Sequence, residues 1–159
     1  ELGQYEAAIS AFEEARALYK KHKEIIHVAR CEQKIASCFN HLGSGEKALE
    51  HARLALDVFE TAHDHRRQVI TMFEYAKALI LLEDYDEALE TLDQVLTTAS
   101  EEEPRDFEFI VDIESQIALI LRKLNRDDEA IEIERRLESV RSILTDDESA
   151  NQGTDSSDN

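Results

Sequence analysis

The 159-residue chain is strongly acidic, because 36 Asp and Glu residues outnumber 18 Lys and Arg residues and leave a formal net charge of -18 at pH 7. This charge argues against partners that need a basic face, so neither nucleic acid nor a membrane surface is expected to bind. With one Pro, four Gly, no Trp and 42% hydrophobic residues, the composition favours an all-α fold with a real core.

Four similar blocks recur along the chain. They begin at residues 2, 42, 82 and 124, so their starts are spaced by 40, 40 and 42 residues, and they read LGQYEAAISAFEEARAL, LGSGEKALEHARLALDV, LEDYDEALETLDQVLTT and LNRDDEAIEIERRLESV. Each block passes from a polar turn to an Ala that is followed by Ile or Leu, and these alanines are Ala8, Ala48, Ala88 and Ala130. We name the helices predicted from these blocks second-type helices.

A different helical pattern precedes the last three blocks, in the segments VARCEQKIASCFNHL, VITMFEYAKALILL and FIVDIESQIALILRKL. Each of these first-type helices has an Ala 12 residues before the Ala of the following block, namely Ala36, Ala76 and Ala118. Two antiparallel helices approach closely only where both carry a methyl-sized side chain. The sequence therefore predicts helical hairpins, which bury their apolar faces by stacking into an α-solenoid.

Seven helices are predicted in chain order: 5–21, 25–42, 46–62, 65–82, 85–99, 104–124 and 127–144. The chain opens on the last residues of a first-type helix, so we expect residues 1–144 to be an N-terminally truncated array of about three and a half repeats. Residues 145–159 carry five acids and no large apolar side chain. An acidic disordered tail is expected there.

Two cysteines lie in the first complete first-type helix. Cys31 and Cys38 are seven residues apart, which in a helix is about 10 Å and too far for a disulfide. Their helical column is small or apolar in every repeat, so core packing is expected rather than redox chemistry or metal binding. Free thiols, with no membrane-span pattern or signal peptide in the sequence, lead us to expect a cytoplasmic protein.

The segment His63-Asp64-His65 is the one cluster of histidines in the sequence. Alternate histidines on a turn can bind a metal. One hypothesis, in contrast to a binding protein, is therefore an enzyme or enzyme subunit that holds a metal ion at His63 and His65. The sequence shows no third ligand, and a turn in which Asp64 caps the next helix explains the cluster more simply. We also find no nucleophile with a nearby base and too few glycines for a phosphate loop. No enzyme, metal or cofactor is expected.

Four carboxylates crowd the stretch LLEDYDEALETL before it turns apolar. A calcium loop needs ligands at alternate positions and a central Gly, and this stretch has neither. We predict instead that Asp84 caps a helix and that Glu87 completes a capping box.

The stretches LGQYEAAISAFEEAR and LLEDYDEALETL resemble the second half of the tetratricopeptide repeat motif. The matching features in the first stretch are Gly3 at the turn, an aromatic two residues later, the Ala, and bulky Phe12 four residues after it. The resemblance covers residues 1 to about 144 and implies a right-handed superhelix that binds other proteins. The 40-residue period is similar to that of the long-repeat branch, which includes kinesin light chains and Gram-positive peptide-sensing regulators. Gly45 and Asp127 depart from the pattern by replacing the aromatic.

The resemblance also implies that the first-type helices line a concave groove. Counting from the packing alanines gives three rows of candidate peptide-binding residues. The rows are Arg30, Gln33, Ser37 and Asn40; Ile70, Phe73, Lys77 and Ile80; and Asp112, Ser115, Leu119 and Arg122.

The middle row is apolar and the outer rows are polar, which suits a peptide groove with an anchor pocket. We predict Phe73 as an exposed anchor, and the alternative is that Ile70, Phe73 and Ile80 belong to the core. Positive groups in the rows favour an acidic ligand.

Two functions fit this sequence. The first is a non-catalytic scaffold that binds a peptide segment of a partner protein in the concave groove. The alternative is the sensory domain of a larger, peptide-responsive regulator.

Overall fold

The protein is seen here in a computed structural model that describes residues 2–101 and 104–152, with side chains described up to residue 140. Seven α-helices occupy these residues: α1 Leu2–Lys21, α2 Ile25–His41, α3 Gly45–Thr61, α4 His65–Leu81, α5 Tyr85–Glu101, α6 Phe107–Lys123 and α7 Asp127–Gln152. The described residues contain no β-strand, so the predicted all-α class is confirmed.

Three helix ends differ from the predicted ones. α1 begins at Leu2, so Gly3 lies within a helix and not in a turn. α6 begins three residues after Pro104, which therefore lies in the connection rather than in the first turn. α7 continues to Gln152 instead of ending near residue 144. Residues 153–159 of the predicted tail lie outside the described residues, and disorder there stays a prediction.

Five of the connections between helices share one turn. Its central residue has a positive φ, and the five residues are Lys23, Gly43, His63, Glu83 and Asn125. In the turn after α3, the His63 N–H donates to Glu60 O at 3.0 Å and the Asp64 N–H donates to Phe59 O at 2.9 Å. These two bonds satisfy the last carbonyls of the helix, as in a Schellman motif. A turn this short makes consecutive helices antiparallel.

The predicted caps are right in one of these turns and wrong in another. The Asp64 carboxylate accepts a hydrogen bond from the Arg67 N–H at 3.2 Å, so the predicted cap of α4 is confirmed. The capping box predicted at α5 is wrong. The Asp84 N–H donates to Leu79 O in the turn, and Glu87 accepts from the Tyr75 hydroxyl at 2.6 Å. The Schellman turn therefore already uses the N–H that Glu87 was expected to bind.

The chain divides into two compact units. Unit 1, Glu1–Asp106, holds α1 to α5, and each of these helices packs on the next. The two matched pairs of alanines in this unit, Ala36 with Ala48 and Ala76 with Ala88, are fully buried. Ala8, which has no matched partner in the chain, is half-buried. The helix faces predicted from the alanine spacing are therefore confirmed.

Unit 2, Phe107–Asn159, is the hairpin of α6 and α7. Its two packing alanines, Ala118 and Ala130, are buried. The same pairing of small side chains therefore organises the hairpin in this unit. The predicted extent of the repeat domain, residues 1–144, stays a prediction.

Candidate protein-interaction surface

The first-type helices of unit 1, α2 and α4, contact each other directly and also pack on α3 between them. Among the described residues of unit 1, no comparable contact joins α1 to α3 or α3 to α5. The first-type helices are thus closer together than the second-type helices. Unit 1 therefore curves with α2 and α4 on its inner side. We call this inner side the α2–α4 surface; its predicted binding residues are the first two rows named above.

Three polar residues of the first row hold α2 against α4. Gln33 donates from Nε2 to Thr71 Oγ1 at 2.8 Å, and Ser37 donates to Glu74 at 3.1 Å. Asn40 donates to a Glu74 carboxylate oxygen at 2.7 Å and to its backbone oxygen at 2.9 Å. These groups, predicted as ligand donors, already have partners inside the protein. Only the buried Oδ1 of Asn40 has no hydrogen-bond partner among the described residues.

The apolar second row divides between core and surface. Phe73 is 7% exposed, so the prediction of an exposed anchor is wrong and the alternative core assignment holds for this residue. The ammonium of Lys77 lies 5.2 Å from the centre of the Phe73 ring and covers it, while also pairing with Glu74 at 3.0 Å. Ile70 is 39% exposed and Ile80 is half-buried. Ile70 is therefore the apolar contact that this row leaves open.

The third row lies in unit 2, where its positive member is already neutralised. Arg122 donates to Asp127 at 2.9 Å and to Glu134 at 2.8 Å. Both hydrogen bonds raise the pKa of Arg122 above its ordinary value, and the bond to Glu134 has the larger effect. Ser115 is half-buried and donates to a backbone oxygen of its own helix. Asp112 and Leu119 are exposed.

Arg30 lies beside a cavity of about 230 Å³ between α1 and α2, which Gln33 also lines. Its side chain is exposed, and within the described part of the chain it makes no hydrogen bond or ion pair. The cavity is lined by aromatic, small and basic side chains: Phe12, Ala15, Tyr19, His27, Arg30, Cys31, Gln33 and Lys34. We call this cavity the α1–α2 cleft.

A buried carboxylate that sequence reasoning missed joins three helices. Glu32 of α2 is 4% exposed and accepts hydrogen bonds from Arg16 of α1 at 3.0 and 3.2 Å. Nδ1 of His51, on α3, lies 2.7 Å from the same carboxylate. Burial alone would raise the pKa of Glu32, but the hydrogen bonds from His51 and Arg16 outweigh it and hold the pKa below its ordinary value. We call these three residues the Glu32 cluster.

A related carboxylate recurs in unit 2. Glu114 is 9% exposed and accepts from Arg136 of α7 at 2.7 Å. Glu32 and Glu114 each lie four residues before a packing alanine, Ala36 and Ala118. An acid repeated at this position on an otherwise apolar helix face is the sequence pattern from which both buried carboxylates could have been predicted.

The two cysteines are free and buried, as predicted. Burial raises the pKa of both thiols, with added repulsion from Glu32 at Cys31 and from Glu74 at Cys38. Raised thiol pKa values make poor nucleophiles and poor metal ligands, which supports core packing.

The histidine cluster brings two rings together, with 6.4 Å between the ring centres of His63 and His65. Throughout the ranges that the structure describes, no three His, Cys, Asp or Glu side chains converge as metal ligands would. None of the described helices combines the length and the apolar character needed to cross a membrane.

Comparisons with known proteins agree with this arrangement. A tetratricopeptide repeat family model matches residues 27–101, which contain α4 and all of α2 except its first two residues. No curated protein matches the sequence.

Two solved structures share the fold. One is a crystal structure from Podosopora anserina, described as a kinesin light chain with nearly identical TPR-like repeats. It has 18% sequence identity and a TM-score of 0.69, and the match covers 88% of this chain and 68% of that one. A single-substitution variant of the same repeats has 17% identity and a TM-score of 0.68, with 90% and 69% covered. The fold is that of a tetratricopeptide-like helical solenoid, and residues 27–101 match the tetratricopeptide repeat family model.

Proposed function

We propose that this protein is a non-catalytic scaffold whose α2–α4 surface binds a peptide segment of a partner protein. Proteins with this fold generally act in protein–protein interaction, and the groove and the peptide are the specific part of our proposal. The buried thiols of Cys31 and Cys38 are compatible with the reducing cytoplasm, where we place it.

The observation that carries the proposal is the preformed α2–α4 surface. Hydrogen bonds from Gln33, Ser37 and Asn40, which are buried or partly buried, fix α2 against α4 before any ligand arrives. A surface held rigid in advance loses little conformational entropy when a peptide binds. Exposed Ile70 offers an apolar contact, and Lys77, whose side chain is partly exposed, offers positive charge. We therefore expect a peptide that combines an apolar residue with acids.

Selection from a random peptide library tests this function directly. We expect the purified protein to enrich acidic peptides that contain an apolar residue. The double variant Ile70→Ser with Lys77→Glu should bind the enriched peptides about tenfold more weakly, because it removes the apolar contact and reverses the charge.

The matched control is Lys21→Glu on α1, a helix that does not contact α4. It makes the same charge change and should leave peptide affinity intact. Enrichment of no peptide at all, or equal binding by the double variant at an unchanged melting temperature, would contradict the proposed function.

A further inference from the structure

Two arginines of unit 1 carry positive charges that the protein itself does not use. Arg30 of α2 and Arg66 of α4 are exposed, and within the described residues neither makes a hydrogen bond or an ion pair. The other arginines of this unit each interact with another residue, and they are Arg16, Arg53, Arg67 and Arg105. Unpaired guanidinium groups are unexpected on a chain in which 36 acids face 18 bases.

The contacts between α2 and α4 fix the level at which these two arginines lie. Hydrogen bonds from Gln33, Ser37 and Asn40 reach residues of α4 that are 34 to 38 positions later in the chain. Arg30 and Arg66 are 36 positions apart, in the middle of this range. They therefore lie at the same level of two helices that contact each other.

The place of Arg30 within the repeat explains why its side chain is open. A shift of 40 residues relates Arg30 to Ile70, which stays 39% exposed although α2 packs against α4. The hydrogen bonds from α2 reach Arg67, Thr71 and Glu74 and pass Ile70 by. This position of the first-type helices therefore faces the inner side even where another first-type helix packs beside it.

The place of Arg66 is unfavourable for the helix that carries it. Arg66 lies in the first turn of α4, where the positive end of the helix dipole disfavours a cation. The helices α3, α5, α6 and α7 carry acids in their first turn, whereas α4 carries none. Asp64, just before α4, is already paired with Arg67. A bound anion would therefore stabilise this end of α4 as well as the two guanidinium groups.

We propose that Arg30 and Arg66 together bind a phosphoryl group, so that the α2–α4 surface recognises a phosphorylated segment of the partner protein. Each guanidinium can donate two parallel hydrogen bonds to phosphate oxygens, and two such groups match the charge of a dianion. A net charge of -18 disfavours nucleic acid and anionic lipid as the source of the phosphate. The inference rests on the proposed function and specifies the ligand of the same surface.

Spacing along α4 sets the rest of the peptide pattern. Ile70 lies four residues after Arg66, which is about 6 Å along the helix axis, and Lys77 lies seven residues further, about 10 Å. An extended peptide rises about 3.3 Å per residue. We therefore expect an apolar residue two positions from the phosphorylated one and an acid about three positions beyond the apolar residue.

Three matched peptide libraries test the inference on the purified protein. In each library random positions flank one fixed residue, which is phosphoserine, glutamate or serine. We expect the protein to retain the phosphoserine library about tenfold more than the serine library. Retention of the glutamate library should lie between them, because a carboxylate carries less charge and fewer acceptor oxygens than a phosphate. The retained phosphopeptides should show the apolar residue two positions from phosphoserine.

Substitutions at the two arginines locate the phosphate. Both side chains are exposed, so Arg30→Ala with Arg66→Ala should fold normally and should lower retention of the phosphoserine library to that of the serine library. Arg30→Lys with Arg66→Lys keeps the charge but loses the paired donors, and it should restore only part of the preference. The matched control, Lys47→Ala with Arg53→Ala, removes two exposed charges from α3 and should keep the tenfold preference. Melting temperatures check the fold of each variant.

Three results would overturn the phosphate site and leave the proposed function standing. The first is equal retention of the phosphoserine and glutamate libraries, and the second is a preference that survives the loss of both arginines. The third is a preference that the α3 control abolishes, because total charge would then explain it. If the protein retains none of the libraries, the proposed function fails and this inference fails with it.

Discussion

Gly45 shows how a single residue adapts one repeat to its neighbour. The first block of the sequence has Tyr5 at the equivalent position, and its ring stacks on His41 with 4.6 Å between ring centres. At Gly45 the space that an aromatic ring would fill is occupied instead by residues at the end of α4. A Cβ built there would lie 3.0 Å from Leu81 Cβ and 3.1 Å from the backbone oxygen of Ala78. The missing aromatic is therefore a repacking of the contact and not a break in the repeat.

The substitution Gly45→Ala should lower the free energy of unfolding by about 1 kcal/mol. Overpacking against backbone and a Cβ costs about 1 to 3 kcal/mol, and the gain in helix propensity returns less than about 1 kcal/mol. Urea denaturation measures the difference.

Gly3→Ala is the matched control, because nothing lies within 4 Å of its built Cβ. It should be neutral or stabilise by up to about 1 kcal/mol. A stabilised Gly45→Ala protein would show that α3 and α4 are farther apart than described.

At the scale of the helices, the Glu32 cluster ties α1, α2 and α3 into one unit. A carboxylate that is 4% exposed needs partners, and Arg16 and His51 provide them from the two neighbouring helices. The pKa of Glu32 lies below its ordinary value. A carboxyl group whose pKa is lowered by folding adds stability above its unfolded pKa and loses it as the pH falls through the folded value.

Removing this charge should destabilise the protein in a pH-dependent way. We expect Glu32→Gln to lower the free energy of unfolding by about 1 to 3 kcal/mol at pH 7, since hydrogen bonds to a charged group are lost. The difference from the parent protein should start to shrink as the pH falls below the ordinary glutamate pKa of about 4.3, and it should disappear at the lower pH where the folded carboxylate of the parent is itself protonated. Chemical denaturation across this pH range measures it. The exposed Glu50→Gln serves as control, and a Glu32→Gln penalty that stayed constant with pH would contradict the assignment.

At the scale of the whole molecule, local periodicity was sufficient to predict the helices, whereas contacts between repeats were not predictable. Matched alanines such as Ala36 and Ala48 indicate which helix faces meet, because close approach needs small side chains wherever the helices lie. The function of Gln33 was not predictable in this way, because its partner Thr71 is 38 residues away. Phe73 was misjudged for a different reason. Helical spacing places Lys77 one turn away on the same face, where it covers the ring, but the spacing does not show that Phe73 is only 7% exposed.

The candidate binding surface was therefore only partly predictable. The sequence pointed to α2 and α4, which contact each other, and to Ile70, which is exposed. It missed the Glu32 cluster, because its three members come from three helices.

The stacking of hairpins through matched alanines is the claim on which the proposed function depends, and the stability of Ala76→Leu tests it most directly. Ala76 is fully buried, so the larger side chain should overfill the contact and lower the free energy of unfolding by about 1 to 3 kcal/mol. Ala17→Leu, the same change at an exposed position of α1, should alter it by no more than about 0.5 kcal/mol. A neutral or stabilising Ala76→Leu in urea denaturation would contradict the helix pairing described here.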